Sequence, residues 1–167
     1  MTEEAQRMAK LQIREATLSD MPPLAVHYRK MFEEIWAKKG EAIDSSLSVE
    51  IVSAYVRKLR QQLPEGSCKA WVIEEDHCII ASGAISFVSF VPTPTDLSST
   101  VGYLHSMYTA NEHRNKQCAE RIVKQAVAFC RAMGIKRILL NTSDAGRPIY
   151  EKIGFRSAPD VMRLLLE

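Results

Sequence analysis

Apolar residues change from a period of two to a period of three to four several times along the chain, and these changes mark strands and helices. Residues 11–16 alternate and predict a first strand. Thr17 predicts the cap of a following helix, which two prolines open and Gly40 ends. Residues 49–63 repeat at three and four and predict a second helix, ended by the proline and glycine of residues 64–66.

The middle of the chain predicts a run of strands. Residues 69–74 and 78–88 are strand-like, and the short polar segment 75–77 between them indicates a hairpin. Residues 92–100 carry two prolines and several small polar residues, which predict a long loop. Residues 101–109 predict a further strand.

The last third returns to mixed helix and strand. Residues 120–133 predict a helix that Gly134 closes, and residues 138–140 predict a buried strand. A short helix follows. Two final strands are predicted, one near Phe155 and one over residues 161–166.

Composition limits the class of protein. With 167 residues and 46% hydrophobic content, the chain predicts one globular domain over residues 11–167, preceded by a loose segment of residues 1–10. A net charge of +2 gives no general attraction to nucleic acid or to a membrane surface, so neither is an expected partner. No run approaches the ~18 apolar residues of a membrane-spanning helix.

Cysteine and histidine spacing adds an expectation about location. The four cysteines show no CxxC spacing, and the acidic N-terminus does not resemble a secretory signal. Reduced thiols and a cytoplasmic location are therefore expected. The four histidines show no paired metal-ligand spacing, so no metal site is predicted.

One polar turn between a strand and a helix has the chemistry of an anion site. Backbone N–H groups and the positive end of the helix dipole converge at such a turn. The turn holds two cationic donors suited to phosphate, Arg114 and Lys116. The alternative is that both are solvated charges, which would lie unfavourably at the positive end of the helix dipole if no anion were bound. The segment reads Arg114-Asn115-Lys116-Gln117-Cys118-Ala119.

The RxxQxA pattern of this turn and the later run Tyr150–Phe155 resemble the GNAT N-acetyltransferases. The similarity spans nearly the whole chain, in the order β-α-α-β-β-β-α-β-α-β. It implies an α/β (α+β) fold with a mixed, mostly antiparallel sheet of six to seven strands flanked by about four helices. It also implies acetyl-CoA as cosubstrate and an amine, on a small molecule or a peptide, as acceptor. A homodimer is expected by the same analogy.

The resemblance assigns residues to the cosubstrate. The backbone of Met107, Tyr108 and Thr109 would pair with the pantetheine arm, and Asn141 would bond the same arm or the acyl region. The N–H groups of residues 115–119 would hold the pyrophosphate. At residue 117 the family pattern has glycine where this chain has glutamine, whose side chain could crowd the phosphates or point outward. Ala119 keeps the small final residue of the pattern.

The catalytic expectations follow from the same resemblance. Tyr150 matches the tyrosine that protonates the departing thiolate, although a core tyrosine is the plain alternative. His105 is the candidate base, as in family members that act on arylalkylamines, while a structural histidine is the alternative. If its strand is regular, His105 shares a face with Tyr103, Met107 and Thr109.

Three further points concern the acceptor side, the cysteine of the turn and an alternative function. Glu33 and Glu34 are candidate acceptor-side carboxylates and backup bases, or simply a solvated helix face. Cys118 is not expected to carry the acyl group, because the family transfers it directly to the amine. A non-catalytic acyl-CoA sensor on the same fold is the alternative function, and the glutamine at 117 is the feature that favours it.

Overall fold

The computed structural model describes residues 11–166, which form a five-stranded sheet with helices on both faces. The strands are β1 (Gln12–Glu15), β2 (Cys68–Glu75), β3 (Cys78–Ser89), β4 (Thr100–Thr109) and β5 (Ile138–Leu140). The helices are α1 (Met21–Lys38), α2 (Ser45–Glu65), α3 (Cys118–Ala132) and α4 (Arg147–Ile153). Single 3₁₀ turns at Leu18–Asp20 and Asn111–His113 precede α1 and α3.

The strands follow one another in spatial order from β1 to β5. All neighbours are antiparallel except β4 and β5, which are parallel. Helix α3 buries Ile122, Val123 and Ala126 against one face of the sheet. Helices α1 and α2 cover the other face with Leu24 and Leu59. The predicted α/β class and mixed, mostly antiparallel sheet are therefore confirmed.

The predicted number of strands is wrong, because the described residues form five rather than six or seven. Neither Phe155 nor residues 161–166 lie in a strand. The side chains of Val161, Met162 and the leucines at 164–166 are exposed. An apolar run forms a strand only where a neighbouring strand pairs with it, and no strand among the described residues pairs with residues 161–166. The predicted loose segment 1–10 lies outside the described residues.

Local signals for turns and helix ends are largely confirmed. Helix α2 is longer than predicted, since it includes Pro64 in its last turn, and Gly66 caps it in the left-handed conformation at φ +74°. Asp76 and His77 form the two-residue turn between β2 and β3, with φ of +47° and +65°. Two consecutive positive φ values suit the twist of a tight hairpin.

Strand β4 contains a bulge at Ser106, whose φ is +58°. The register with β3 shifts opposite it, between Ser82 and Ala84. The side chain of Met107 therefore packs with the α3 cluster, and a Cβ placed on Gly83 would lie 2.3 Å from the Met107 sulfur. The expectation that Met107 shares a face with His105 is wrong, because a bulge inserts one residue and reverses the alternation.

Asp20 anchors the start of α1 and should make the free energy of unfolding depend on pH in the acidic range. Its carboxylate accepts two 2.8 Å hydrogen bonds from Arg14 and one from the Thr17 N–H. The Arg14 hydrogen bonds hold the pKa of Asp20 at about 2, below its usual value. A lowered folded-state pKa adds stability above the unfolded pKa, and that stability is lost as pH falls from about 4 to 2.

As the pH falls, the unmodified protein loses unfolding free energy when Asp20 is protonated. We expect Asp20→Asn to lose about 2 kcal/mol less over the same pH range. Urea unfolding between about pH 2 and 6 measures it. The matched control is Asp144→Asn, whose exposed carboxylate lies 3.8 Å from Arg147. An Asp20→Asn curve that falls as steeply as that of the control would refute the assignment.

Candidate functional site

Strands β4 and β5 separate at the bulge, and this opening is the centre of the site. Their parallel pairing covers only Gly102, Tyr103 and Leu104 of β4. Strand β4 continues to Thr109, whereas β5 ends at Leu140. Within residues 11–166, the edge of β4 from His105 to Thr109 has no partner strand on the β5 side. Its backbone groups can therefore pair with an extended ligand.

The turn at residues 114–119 lies beyond the end of β4 and leads into α3. Asn115 and Gln117 both adopt left-handed backbone conformations, with φ of +63° and +58°. In the described part of the chain, the N–H groups of residues 115–119 donate to no backbone carbonyl. Successive unpaired N–H groups at a helix N-terminus form an anion site. The turn therefore has the geometry of an anion site, and its binding of a pyrophosphate stays a prediction.

The two cations of the turn differ in their surroundings. Arg114 donates two hydrogen bonds to the carboxylate of Glu34 on α1, at 2.6 and 2.7 Å, and one to the Thr109 carbonyl at 3.2 Å. Lys116 is half-buried and makes no ion pair among the described residues. The sequence pattern did not indicate that Glu34 binds Arg114, because the two are eighty positions apart.

Gln117 is exposed and makes no capping hydrogen bond with its side chain. Cys118 is buried, and burial raises the pKa of its thiol. A thiol with a raised pKa is a poor nucleophile, which agrees with direct transfer. Ala119 is half-buried at the first turn of α3.

Tyr150 lies on α4 and packs against the apolar cluster that α3 forms with the sheet. Its ring packs edge-on against Phe155, with centroids 5.8 Å apart. Burial raises the pKa of its hydroxyl, so the phenol stays protonated at neutral pH. Within residues 11–166 that hydroxyl has no hydrogen-bond partner. Asn141 follows β5 and donates to the Tyr103 hydroxyl, which places its amide beside the opening.

His105 is the centre of a hydrogen-bonded chain on the face covered by α2. Its Nε2 lies 2.8 Å from the Ser86 hydroxyl, and its Nδ1 lies 2.8 Å from the Ser106 hydroxyl at the bulge. Lys58 of α2 donates to Ser86 at 2.7 Å. Tyr55, one turn earlier on α2, is a buried neighbour of Ser106. Burial, and then the Lys58 charge, lower the pKa of His105 to about 4.

Sequence reasoning missed Lys58, Ser86 and Tyr55. Lys58 and Tyr55 are three residues apart on α2, so they share a helix face, but nothing local showed which strand they meet. The candidate Glu33 is exposed and lies 3.8 Å from Arg29 on its own helix. Glu33 and Glu34 are therefore both engaged with arginines.

The described residues also bear on membrane insertion, metal binding and disulfide formation. No helix among them is long and apolar enough to cross a bilayer. No group of three or more histidine, cysteine or acidic side chains comes together as a metal site within residues 11–166. All four cysteines are unbonded thiols, and three of them are buried.

Comparison with known proteins gives a family match. The model of the acetyltransferase (GNAT) family matches residues 28–155, which is more than half of the chain. The chain is 25% identical over 146 residues to an uncharacterised N-acetyltransferase, YjgM, of Escherichia coli K12. That alignment covers 86% of this chain and 80% of YjgM.

Solved structures of two acetyltransferases are similar to this chain over most of its length. A predicted acetyltransferase from Clostridium acetobutylicum, crystallised with acetyl-CoA, is 26% identical with a TM-score of 0.80, over 93% of this chain and 96% of that one. A GCN5-related N-acetyltransferase from Ralstonia eutropha JMP134 has a TM-score of 0.81 at 20% identity, over 93% and 98% of the two chains. The second likeness shows the fold alone.

Proposed function

Because the chain belongs to the acetyltransferase (GNAT) family and is an acyltransferase, we propose that it moves an acetyl group from acetyl-CoA directly to a primary amine of a small molecule or peptide. The observation that carries the proposal is the turn at residues 114–119. Its unpaired N–H groups and two cations form an anion site beside an opening in the sheet.

The chain's residues fit acetyl-CoA along its length. The N–H groups of residues 115–119 bind the diphosphate, with Arg114 and Lys116 as cationic donors. The backbone of Met107, Tyr108 and Thr109 pairs with the pantetheine arm, and Asn141 bonds it from the β5 side. Bound acetyl-CoA supplies the thioester whose acetyl group is moved.

Two groups act on the reaction in this proposal. Backbone N–H at the bulge, near Met107, polarises the acyl carbonyl. As the amine nitrogen bonds to the acyl carbon and the carbon–sulfur bond breaks, Tyr150 donates its phenolic proton to the departing sulfur. His105 lies beside the bulge, but a pKa of about 4 makes it too weak a base to hold the proton of an ammonium.

The acceptor is proposed only as an amine. Glu34 of the acceptor-side helix α1 pairs with Arg114 of the phosphate turn. A cationic amine would meet both Glu33 and Glu34 at this end of α1, although their arginine partners reduce the charge available. A homodimer and a cytoplasmic location are proposed from the sequence.

Two measurements test the function. Acetyl-CoA is expected to raise the melting temperature, because a ligand of the folded form adds RT ln(1 + [L]/Kd) of stability. Thiol release is then expected with at least one member of a panel of polyamines, amino sugars, arylalkylamines and lysine peptides. Binding without thiol release from any amine would favour the acyl-CoA sensor, and no binding would refute both functions.

Gln117 tests whether the departure from glycine matters. We expect Gln117→Ala to bind acetyl-CoA within about twofold of the unmodified protein, because the side chain is exposed and makes no capping bond. Gln117→Gly removes the left-handed strain and should bind at least as tightly. Isothermal titration compares the three proteins, and a tenfold gain in Gln117→Ala would show that the side chain obstructs the phosphates.

A further inference from the structure

The hydrogen-bonded chain around His105 has a defined direction. An ammonium group has three donors and no acceptor, so in the hydrogen bond between Lys58 and Ser86 the lysine donates and the serine oxygen accepts. The Ser86 hydroxyl keeps one hydrogen to give. Its neighbours are the thiol of Cys68 and Nε2 of His105. An imidazole nitrogen accepts far better than sulfur, so that hydrogen goes to His105.

The direction fixes where His105 carries its own proton. Its Nε2 accepts from Ser86, so the neutral ring has its single hydrogen on Nδ1. That hydrogen points to the Ser106 oxygen, 2.8 Å away. Donation therefore runs from Lys58 on α2, through Ser86 of β3 and His105, to Ser106 at the bulge of β4.

The end of the chain is the strained residue of the bulge. Ser106 is a non-glycine residue with φ of +58°, a conformation that costs about 1–2 kcal/mol. The hydrogen bond between His105 and its hydroxyl offsets part of that cost. The pairing of β4 with β5 ends two residues before Ser106, at Leu104, so Ser106 lies on the first unpaired stretch of the β4 edge.

We infer that Lys58 and Ser86 are positioning residues that hold His105 as the neutral Nδ1–H tautomer, which fixes Ser106 and thereby the bulge beside the acyl group. His105 is in this view a positioning residue rather than the base. Its Nε2 lone pair is already used by Ser86, and its Nδ1 carries a hydrogen. The acceptor amine therefore loses its proton to another group or to water before attack. This inference rests on the proposed function only for its effect on rate.

The tautomer is tested without any activity measurement. Long-range ¹⁵N NMR of the histidine-labelled full chain should show the ring of His105 neutral and protonated on Nδ1 between about pH 6 and 8. Loss of its signals in His105→Asn assigns them. Lys58→Met keeps the aliphatic stem but removes the donor, so both tautomers should become populated, whereas Lys58→Arg should retain the Nδ1–H form. An Nε2–H or charged ring in the unmodified protein would overturn the inference.

The effect on rate is tested by a matched pair of variants. Asparagine places an N–H near the position of Nδ1, and glutamine places one near Nε2. We expect His105→Asn to keep kcat within about threefold, and His105→Gln to lower it by as much as about 10²-fold, as displacements of about 1 Å do. Circular dichroism and melting temperature confirm that both variants fold.

The pH–rate profile separates positioning from base catalysis. In His105→Asn the profile should keep the ionisations of the unmodified protein. If His105→Asn is as inactive as His105→Gln and also loses the acidic limb of the profile, His105 is the base and the inference is wrong. If the unmodified protein releases no thiol with any amine, the proposed function fails, while the NMR result still decides the tautomer.

Discussion

Replacing Tyr150 with phenylalanine is expected to lower kcat by about 10²–10⁴-fold, because the thiolate then leaves without a proton donor. The change removes one oxygen atom and keeps the ring that packs against Phe155. Burial raises the pKa of the hydroxyl, so the unmodified enzyme has its acid available throughout the neutral range. Thiol release at saturating acetyl-CoA measures the effect.

The hydroxyl has a chemical role only if binding and stability survive its removal. The Kd for acetyl-CoA and the melting temperature of Tyr150→Phe should therefore match those of the unmodified protein. The alkaline decline of kcat that reports the phenol should also disappear. A variant with full turnover at every pH would assign Tyr150 to the core, as its place beside the α3 cluster also permits.

Much of the fold was predictable because its signals are local. The cap at Thr17, the prolines that open α1 and the glycine that closes α2 each act within a few residues. The turn at Asp76 and His77 was found from polarity, although neither residue is the usual glycine. The candidate anion site at residues 114–119 was also visible, because a strand, a polar turn and a helix follow one another in sequence.

What could not be predicted depends on pairing between distant segments. The bulge at Ser106 has no local signal, since serine is not a usual residue at positive φ, and it reversed the expected face of Met107. The strand predicted over residues 161–166 failed because alternation and apolar content do not supply a partner. The hydrogen bond from Lys58 to Ser86 links residues 28 positions apart.

The same distinction explains why residues were found more readily than their roles. The sequence singled out His105 as a candidate base, but the role of a histidine depends on which groups surround its two nitrogens, and those come from α2, β3 and β4. Similarly, Arg114 was identified as a cation of the turn, whereas its carboxylate partner on α1 appeared only in the structure.

Replacing Arg114 with alanine is expected to weaken acetyl-CoA binding by about 10–100-fold, since a hydrogen bond to a charged group contributes roughly 1.5–3 kcal/mol. The loss should shrink at high salt, because Arg114 is partly exposed and screening reduces its attraction to the diphosphate. Isothermal titration at two salt concentrations measures both effects.

The ion pair with Glu34 provides the control, because Arg114→Ala removes that pair as well as the proposed phosphate contact. Glu34→Gln breaks the pair but keeps the guanidinium, so it should bind acetyl-CoA as tightly as the unmodified protein or up to about fivefold more tightly. S-acetylpantetheine lacks the diphosphate, so Arg114→Ala and the unmodified protein should bind it equally. If Arg114→Ala weakens both ligands alike, or if Glu34→Gln loses as much affinity as Arg114→Ala, then Arg114 acts by joining α1 to the turn and does not bind phosphate.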